Sequence, residues 1–204
     1  MTPAEPSPPV PALKSPFADA KRESSAVDRA MARYSEGDDL AFEEVFRELS
    51  PRLRAFLRRM SGRKDLADDL TQETFLRMHR ARGSFVPGRE AVPWAYAIAR
   101  NCFIDHSRAA VRVRGITTDS DETDTAPAGP EADAEQTIQA KQMAAVVERT
   151  LASMTVARRE AFVLLRYEGL SVATAAQILG VSETALKVRA FHAYESLRSA
   201  LKTL

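Results

Sequence analysis

Between residues 65 and 114 the apolar positions recur at helical spacing and define two neighbouring amphipathic helices. At about 100° per residue, the first gathers Ala67, Leu70, Thr71, Thr74, Phe75 and Met78 on one side. Asp65, Asp68, Asp69, Gln72, Leu76 and His79 fall on the other. One face is predicted to be core; the other is acidic, with a leucine exposed in it. The second helix is predicted from about Pro93, a favoured first-turn residue, to Arg114. Its apolar stripe holds Trp94, Ala95, Ile98, Ala99, Cys102, His106, Ala109 and Val113, and it sends Arg100, Asn101, Ser107, Arg108 and Arg114 outward.

The same periodicity extends upstream. Ser25 is placed to cap a helix that stops at Gly37, and Asp38 and Asp39 to cap the next, with Leu40, Phe42, Val45, Phe46 and Leu49 as buried candidates. Ser50-Pro51 is expected to restart or bend that helix, after which Leu53, Phe56, Leu57 and Met60 continue the stripe. Nothing in this half alternates with period two, so residues 25–114 are read as a four-helix domain. The loop GSFVPGRE at 83–90 connects the last two helices and holds Phe85 and Arg89, with Phe85 either displayed or a lid on the core.

Helical periodicity resumes at Thr137, with Ile138, Met143, Val146, Val147 and Leu151, then Phe162, Leu164, Leu165 and Tyr167 up to Gly169. Ser171 then caps a short helix with Ala175, Ile178 and Leu179 inward, Gly180 makes a turn, and Ser182 caps a helix burying Leu186, Ala190 and Leu197. A short helix, a glycine turn and a capped helix with outward Lys187 and Arg189 make a helix-turn-helix, within a second domain at 136–204. The fold class expected is therefore all-α, two small helical domains.

Charge divides the chain further. The net charge is +1, yet Arg52 to Lys64 carries six basic residues and no acid, whereas 115–135 carries seven acids and no lysine or arginine. The acidic stretch, rich in Pro, Gly and Thr, reads as a flexible linker, and the Pro-rich residues 1–24 as a disordered tail. About 21 residues span roughly 25 Å at rest and about 70 Å fully extended. The linker's Asp119, Asp121, Thr123 spacing lacks the glycine and the bidentate glutamate of a calcium loop.

One cysteine, Cys102 on an apolar stripe, excludes a disulfide framework and fits a reducing cytoplasm; it reads as a small core residue. The histidines at 79, 106 and 192 show no ligand spacing, and no phosphate loop or nucleophile elbow occurs. No enzyme, metal or cofactor is expected. No signal peptide or membrane-length apolar run is present in the sequence, so no direct membrane insertion is expected either.

Neighbouring helix faces of opposite sign suit two different partners, a basic protein surface and a phosphate backbone. Asp-Asp-Leu-Thr-Gln-Glu-Thr-Phe at 68–75, Pro-Trp-Ala-Tyr-Ala-Ile-Ala-Arg-Asn at 93–101 and Asp105-x-x-Arg108 together resemble region 2 of the sigma-70 family, in its small extracytoplasmic-function (ECF) branch. Residues 179–198, with Leu179-Gly180, Lys187, Arg189 and Leu197-Arg198, are similar to region 4 of the same family. Thr184, Val188 and His192 stand where the family usually has Gly, Ser and Arg, which implies an atypical upstream element.

The resemblance implies a promoter-specificity subunit of bacterial core RNA polymerase. Asp65, Asp68, Asp69, Gln72 and Leu76 would then dock on the polymerase clamp. Phe85, Arg89, Tyr96, Arg100, Asn101, Arg108, Arg112 and Arg114 would bind the −10 element, with Asn101 taking an unstacked base and the arginines the phosphates. Tyr96 is a candidate stacking surface, with packing as the alternative, and Asp105 a structural ion-pair partner of Arg108. Ser182, Glu183, Lys187 and His192 would meet the −35 element in the groove and Arg189 its backbone. Melting about a dozen base pairs costs on the order of 15 kcal/mol, whereas each captured base returns about 1 to 3 kcal/mol; a large partner must supply the rest.

The resemblance also implies an anti-sigma factor as inhibitor, most often membrane-bound. The two promoter elements would lie roughly 85 Å apart, two and a half turns of about 34 to 36 Å. The linker's seven acids are expected to cover the basic faces of the free protein. Two rival readings remain: a stand-alone helix-turn-helix regulator that binds duplex DNA without polymerase, and a sigma-mimicking adaptor that binds an anti-sigma factor.

Overall fold

The structure, a computed structural model, describes residues 20–114 and 134–202. Eight α-helices run through them in the order α1 (Ala20–Ser35), α2 (Ala41–Ser61), α3 (Lys64–Ala81), α4 (Ala91–Arg114), α5 (Ala134–Ser153), α6 (Val156–Phe162), α7 (Val172–Leu179) and α8 (Glu183–Leu201). No strand occurs among the described residues. The expectations for the tail before residue 20 and for the linker, including its masking role, lie outside them.

α1 starts five residues before the predicted Ser25 cap, through Ala-Lys-Arg-Glu-Ser, which contains strong helix formers and no proline. Asp38 acts as a turn residue, accepting from the Leu40 N–H at 3.2 Å, and α2 has no side-chain cap. α2 then passes through Pro51 uninterrupted to Gly62, whose φ of 72° allows its N–H to close the helix on the Arg58 carbonyl. Starting at Ala41, α2 leaves Leu40 87% exposed. Phe46, also expected inside, is 45% exposed and lies over Phe75 at the rim, their ring centroids 4.7 Å apart.

α1, α3 and α4 pack around α2, whose Val45, Leu49, Leu53, Phe56, Leu57 and Met60 are buried. On α3 all six predicted core positions are buried. α4 begins at Ala91, two residues before the prediction, because Asp28 of α1 accepts the Ala91 N–H at 2.7 Å and satisfies a helix-start donor.

In the second half, α6 continues into a π-helical turn over Val163–Tyr167. Ser171 and Ser182 cap α7 and α8 by accepting from the Thr174 and Ala185 N–H groups. Gly180, at φ 64°, makes the turn between them. Leu151, Met154, Phe162, Ala193 and Leu197 form a local cluster, and Met143, expected inside, is 51% exposed. The two halves are not separate bodies. α7 packs on α4, and Val163, Leu164, Ala175, Ala176, Ile178 and Leu179 join one apolar core with Phe56 and Tyr96 of the first half.

Candidate nucleic-acid interface

The outer face of α3 is acidic, as its periodicity predicted, but its charges are not equivalent. Asp68 is held by Arg54 of α2, whose Nη2 donates to Oδ2 at 2.7 Å. Asp65 pairs with Arg63 at 2.6 Å, which together with the Leu66 N–H holds its carboxyl below the usual range. Asp69 and Gln72 are exposed, and Leu76 is 52% exposed between them and the rim.

α4 leans against α3 and carries the opposite sign. Asn101, Arg108 and Arg112 are exposed along it, and the Arg112 Nε donates to the Arg108 carbonyl at 3.4 Å. The side chain of Arg114 lies outside the described residues. Asp105 does not pair with Arg108. It accepts instead from Arg77 of α3 at 2.7 Å, and Arg77 also holds Glu73 at 2.8 Å, so the acid ties α3 to α4. Cys102 is buried, and burial pushes its thiol up, which fits a core residue.

Two residues assigned to the −10 surface are not displayed. Phe85 is 4% exposed and stands edge-on to Trp94 with centroids 5.4 Å apart, so it is a lid on the core; Arg89, on the turn beyond it, is exposed. Tyr96 is fully buried against Phe56 and donates its hydroxyl to Glu168 of the second half. Arg100 is half-buried, its Nε donating to Glu160 Oε1 at 2.8 Å and its Nη2 to Oε2 at 3.3 Å. Helical periodicity could not foresee either contact, since both partners lie 60 or more residues downstream.

On α8, Glu183, Lys187 and His192 are exposed, with Lys187 3.9 Å from Glu183 and His192 beside the Phe191 ring. The Ser182 hydroxyl serves as the helix cap and keeps its own proton to donate. Arg189 is half-buried, and its charge favours the ionised form of Glu160.

Sequence reasoning missed the residues that join the halves. Glu160 and Glu168 are 1% and 0% exposed, and Arg52, counted with the basic run, is 6% exposed. Arg59 stacks over the Tyr167 ring at 4.1 Å, and Arg159 donates across to the Met60 carbonyl at 2.6 Å. The available signal was a pair of carboxylates flanking the apolar run from Ala161 to Leu165.

Burial raises the carboxyl of Glu160 against the pull of Arg100 and Arg189, and that of Glu168 against Tyr96, Arg59 and Arg52. A carboxyl that holds its proton more tightly in the contact makes joining the halves proton-consuming. Its contribution is full below the ordinary glutamate value of 4.5 and fades as pH climbs through the raised values. Small-angle scattering should therefore show the chain less compact once pH has climbed through the raised values than below the ordinary glutamate value, and Glu160→Gln with Glu168→Gln should lose that difference.

Comparison with known proteins agrees with this geometry. Residues 45–113 match the Sigma-70 region 2 family and residues 144–197 the Sigma-70, region 4 family. The RNA polymerase sigma factor CarQ of Myxococcus xanthus is 34% identical over 174 residues, covering 85% of this chain and 97% of that one. The ECF RNA polymerase sigma factor SigF of Caulobacter vibrioides is 33% identical over 84% of this chain and 92% of its own. Among solved structures, the sigma factor RpoE of Bartonella quintana, crystallised with the anti-sigma factor NepR, superposes with a TM-score of 0.68 at 26% identity, over 79% of this chain and 96% of that one. With both regions matched in order and relatives covered nearly end to end, the chain belongs to the ECF branch of the sigma-70 family, transcription initiation factors rather than enzymes.

Proposed function

We propose that this sigma factor docks on bacterial core RNA polymerase through Asp69, Gln72 and Leu76 of α3, supported by Asp65 and Asp68. It then captures the −10 element with Asn101 and the Arg108, Arg112 and Arg114 phosphate stripe. Arg89 and the 83–90 loop flank that site. Ser182, Glu183, Lys187, Arg189 and His192 of α8 read the −35 element. The observation that carries this is the juxtaposition of an exposed acidic and apolar face on α3 with an exposed Asn101 and arginines on the adjoining α4. One face meets protein while the other holds DNA, so the two contacts do not compete. Phosphate contacts position the chain and base edges give it sequence preference.

The work belongs in the cytoplasm, where the polymerase and the promoter are. An anti-sigma factor is proposed as its inhibitor, membrane-bound as is usual in the family; the related RpoE was crystallised with one.

Run-off transcription with core polymerase and genomic DNA fragments tests the reading. New start sites are expected only when both the chain and the polymerase are present. Duplex binding without polymerase, and no start site with it, would overturn the proposal in favour of a stand-alone regulator.

A further inference from the structure

Along α4 the exposed Asn101, Asp105, Arg108 and Arg112 recur at helical spacing, which puts all four on one face. Three of them suit a nucleic-acid strand. The fourth is a carboxylate in the middle of a face that is to hold phosphates, where like charge repels. Its side chain is 54% exposed, so Asp105 is not there to fill the core.

Asp105 leaves Arg108, one turn along its own helix, and accepts through Oδ2 from Arg77 Nη1 of α3 at 2.7 Å. Arg77 is already committed, because its Nε donates to Glu73 at 2.8 Å. Two carboxylates therefore share one guanidinium, and the cluster keeps a negative charge inside a basic stripe. Arg108 makes no side-chain ion pair among the described residues and is left for phosphate.

We propose that Asp105 is a base-selecting residue, which with Asn101 frames the captured base and accepts a hydrogen bond from its exocyclic amino group. Bases that carry such a group are then held in preference to thymine. This rests on the strand-capturing reading of α4 above. A carboxylate only accepts, and its two oxygens offer about four lone-pair sites, so the Arg77 bond leaves capacity to spare. Cytosine N4, adenine N6 and guanine N2 each present an N–H to it. Thymine and uracil offer a single ring N–H flanked by two carbonyl oxygens, which a carboxylate repels. As i, i+4 neighbours, Asn101 and Asp105 have Cβ atoms about 5 to 6 Å apart, close enough to meet one base edge. The same acid keeps phosphate out of the middle of the face, so the backbone is directed to Arg108 and Arg112 while the base turns to the acid and the amide.

The test uses the full chain assembled with core polymerase, with core polymerase alone as the baseline. The probes are fluorescent single-stranded 12-mers of deoxycytidine and of deoxyuridine, read by anisotropy. The two bases differ at the amino or carbonyl group on C4 and the ring proton that follows from it, and neither carries a methyl group. Wild type should bind the deoxycytidine 12-mer about fivefold to tenfold more tightly. Asp105→Asn keeps the shape and an oxygen for Arg77, but its amide also donates, so the preference should shrink to about twofold or less. Asp105→Ala should lose the preference as well and, with one repelling charge removed, bind the deoxyuridine 12-mer more tightly than wild type does. An acid with only a structural role would move both 12-mers together. Equal binding of the two by wild type, or a preference that survives in both variants, would overturn the assignment while strand capture stands. If the chain adds no strand binding to the polymerase, the strand-capturing reading fails and the role of Asp105 falls with it.

Discussion

Asn101→Ala leaves polymerase binding unchanged and cuts promoter opening by about tenfold to a hundredfold, while Asp69→Arg does the reverse. Asn101 is exposed, so truncating it opens no cavity and leaves the helix intact. What is lost is a side-chain amide able to pair with a base edge, worth about 1 to 3 kcal/mol for a good contact, and each 1.4 kcal/mol is about a factor of ten. Asp69 is exposed on α3 and forms no ion pair among the described residues. Reversing its sign leaves the fold alone and places like charges across the docking surface, which should weaken polymerase binding by more than about thirtyfold. The two are separated by co-sedimentation with core polymerase and by permanganate reactivity of the melted strand. Variants that fail together at the polymerase step would show that α3 and α4 do not divide the work.

The sequence was most informative where structure is local. All six predicted core positions of α3 are buried, both serine caps of the helix-turn-helix form, and Gly180 adopts its left-handed turn, because each depends on spacing within a few residues. It was least informative where contacts are distant. Phe103 and Tyr96 fell off the predicted α4 stripe yet are buried, since region 4 covers a second side of that helix. His106, on the predicted stripe, is exposed. The same blindness made Arg52 and Arg59 look like a solvated basic run, when one is buried and the other stacks on Tyr167. Periodicity reports that a face is apolar; it does not report which face a remote domain will cover.

Phe56→Ala and Leu76→Ala, two apolar truncations in the same domain, should part company completely. Phe56 is fully buried and supports Tyr96 edge-on with centroids 5.2 Å apart, so its removal leaves a cavity at the junction of the two halves. Large-to-small changes of this kind cost about 3 to 5 kcal/mol, against a total stability of about 5 to 15 kcal/mol. Thermal unfolding should shift down by more than about 10 °C. Leu76 is 52% exposed, so its loss should change stability by no more than about 0.5 kcal/mol. Its effect belongs to the complex instead: an apolar anchor desolvated by the polymerase should lower affinity about tenfold when truncated. Calorimetry and polymerase binding on the two variants separate a residue that holds the domain from one held ready for a partner. If Leu76→Ala bound polymerase like wild type, the exposed face of α3 would not be the docking surface, and its leucine would be an ordinary surface residue.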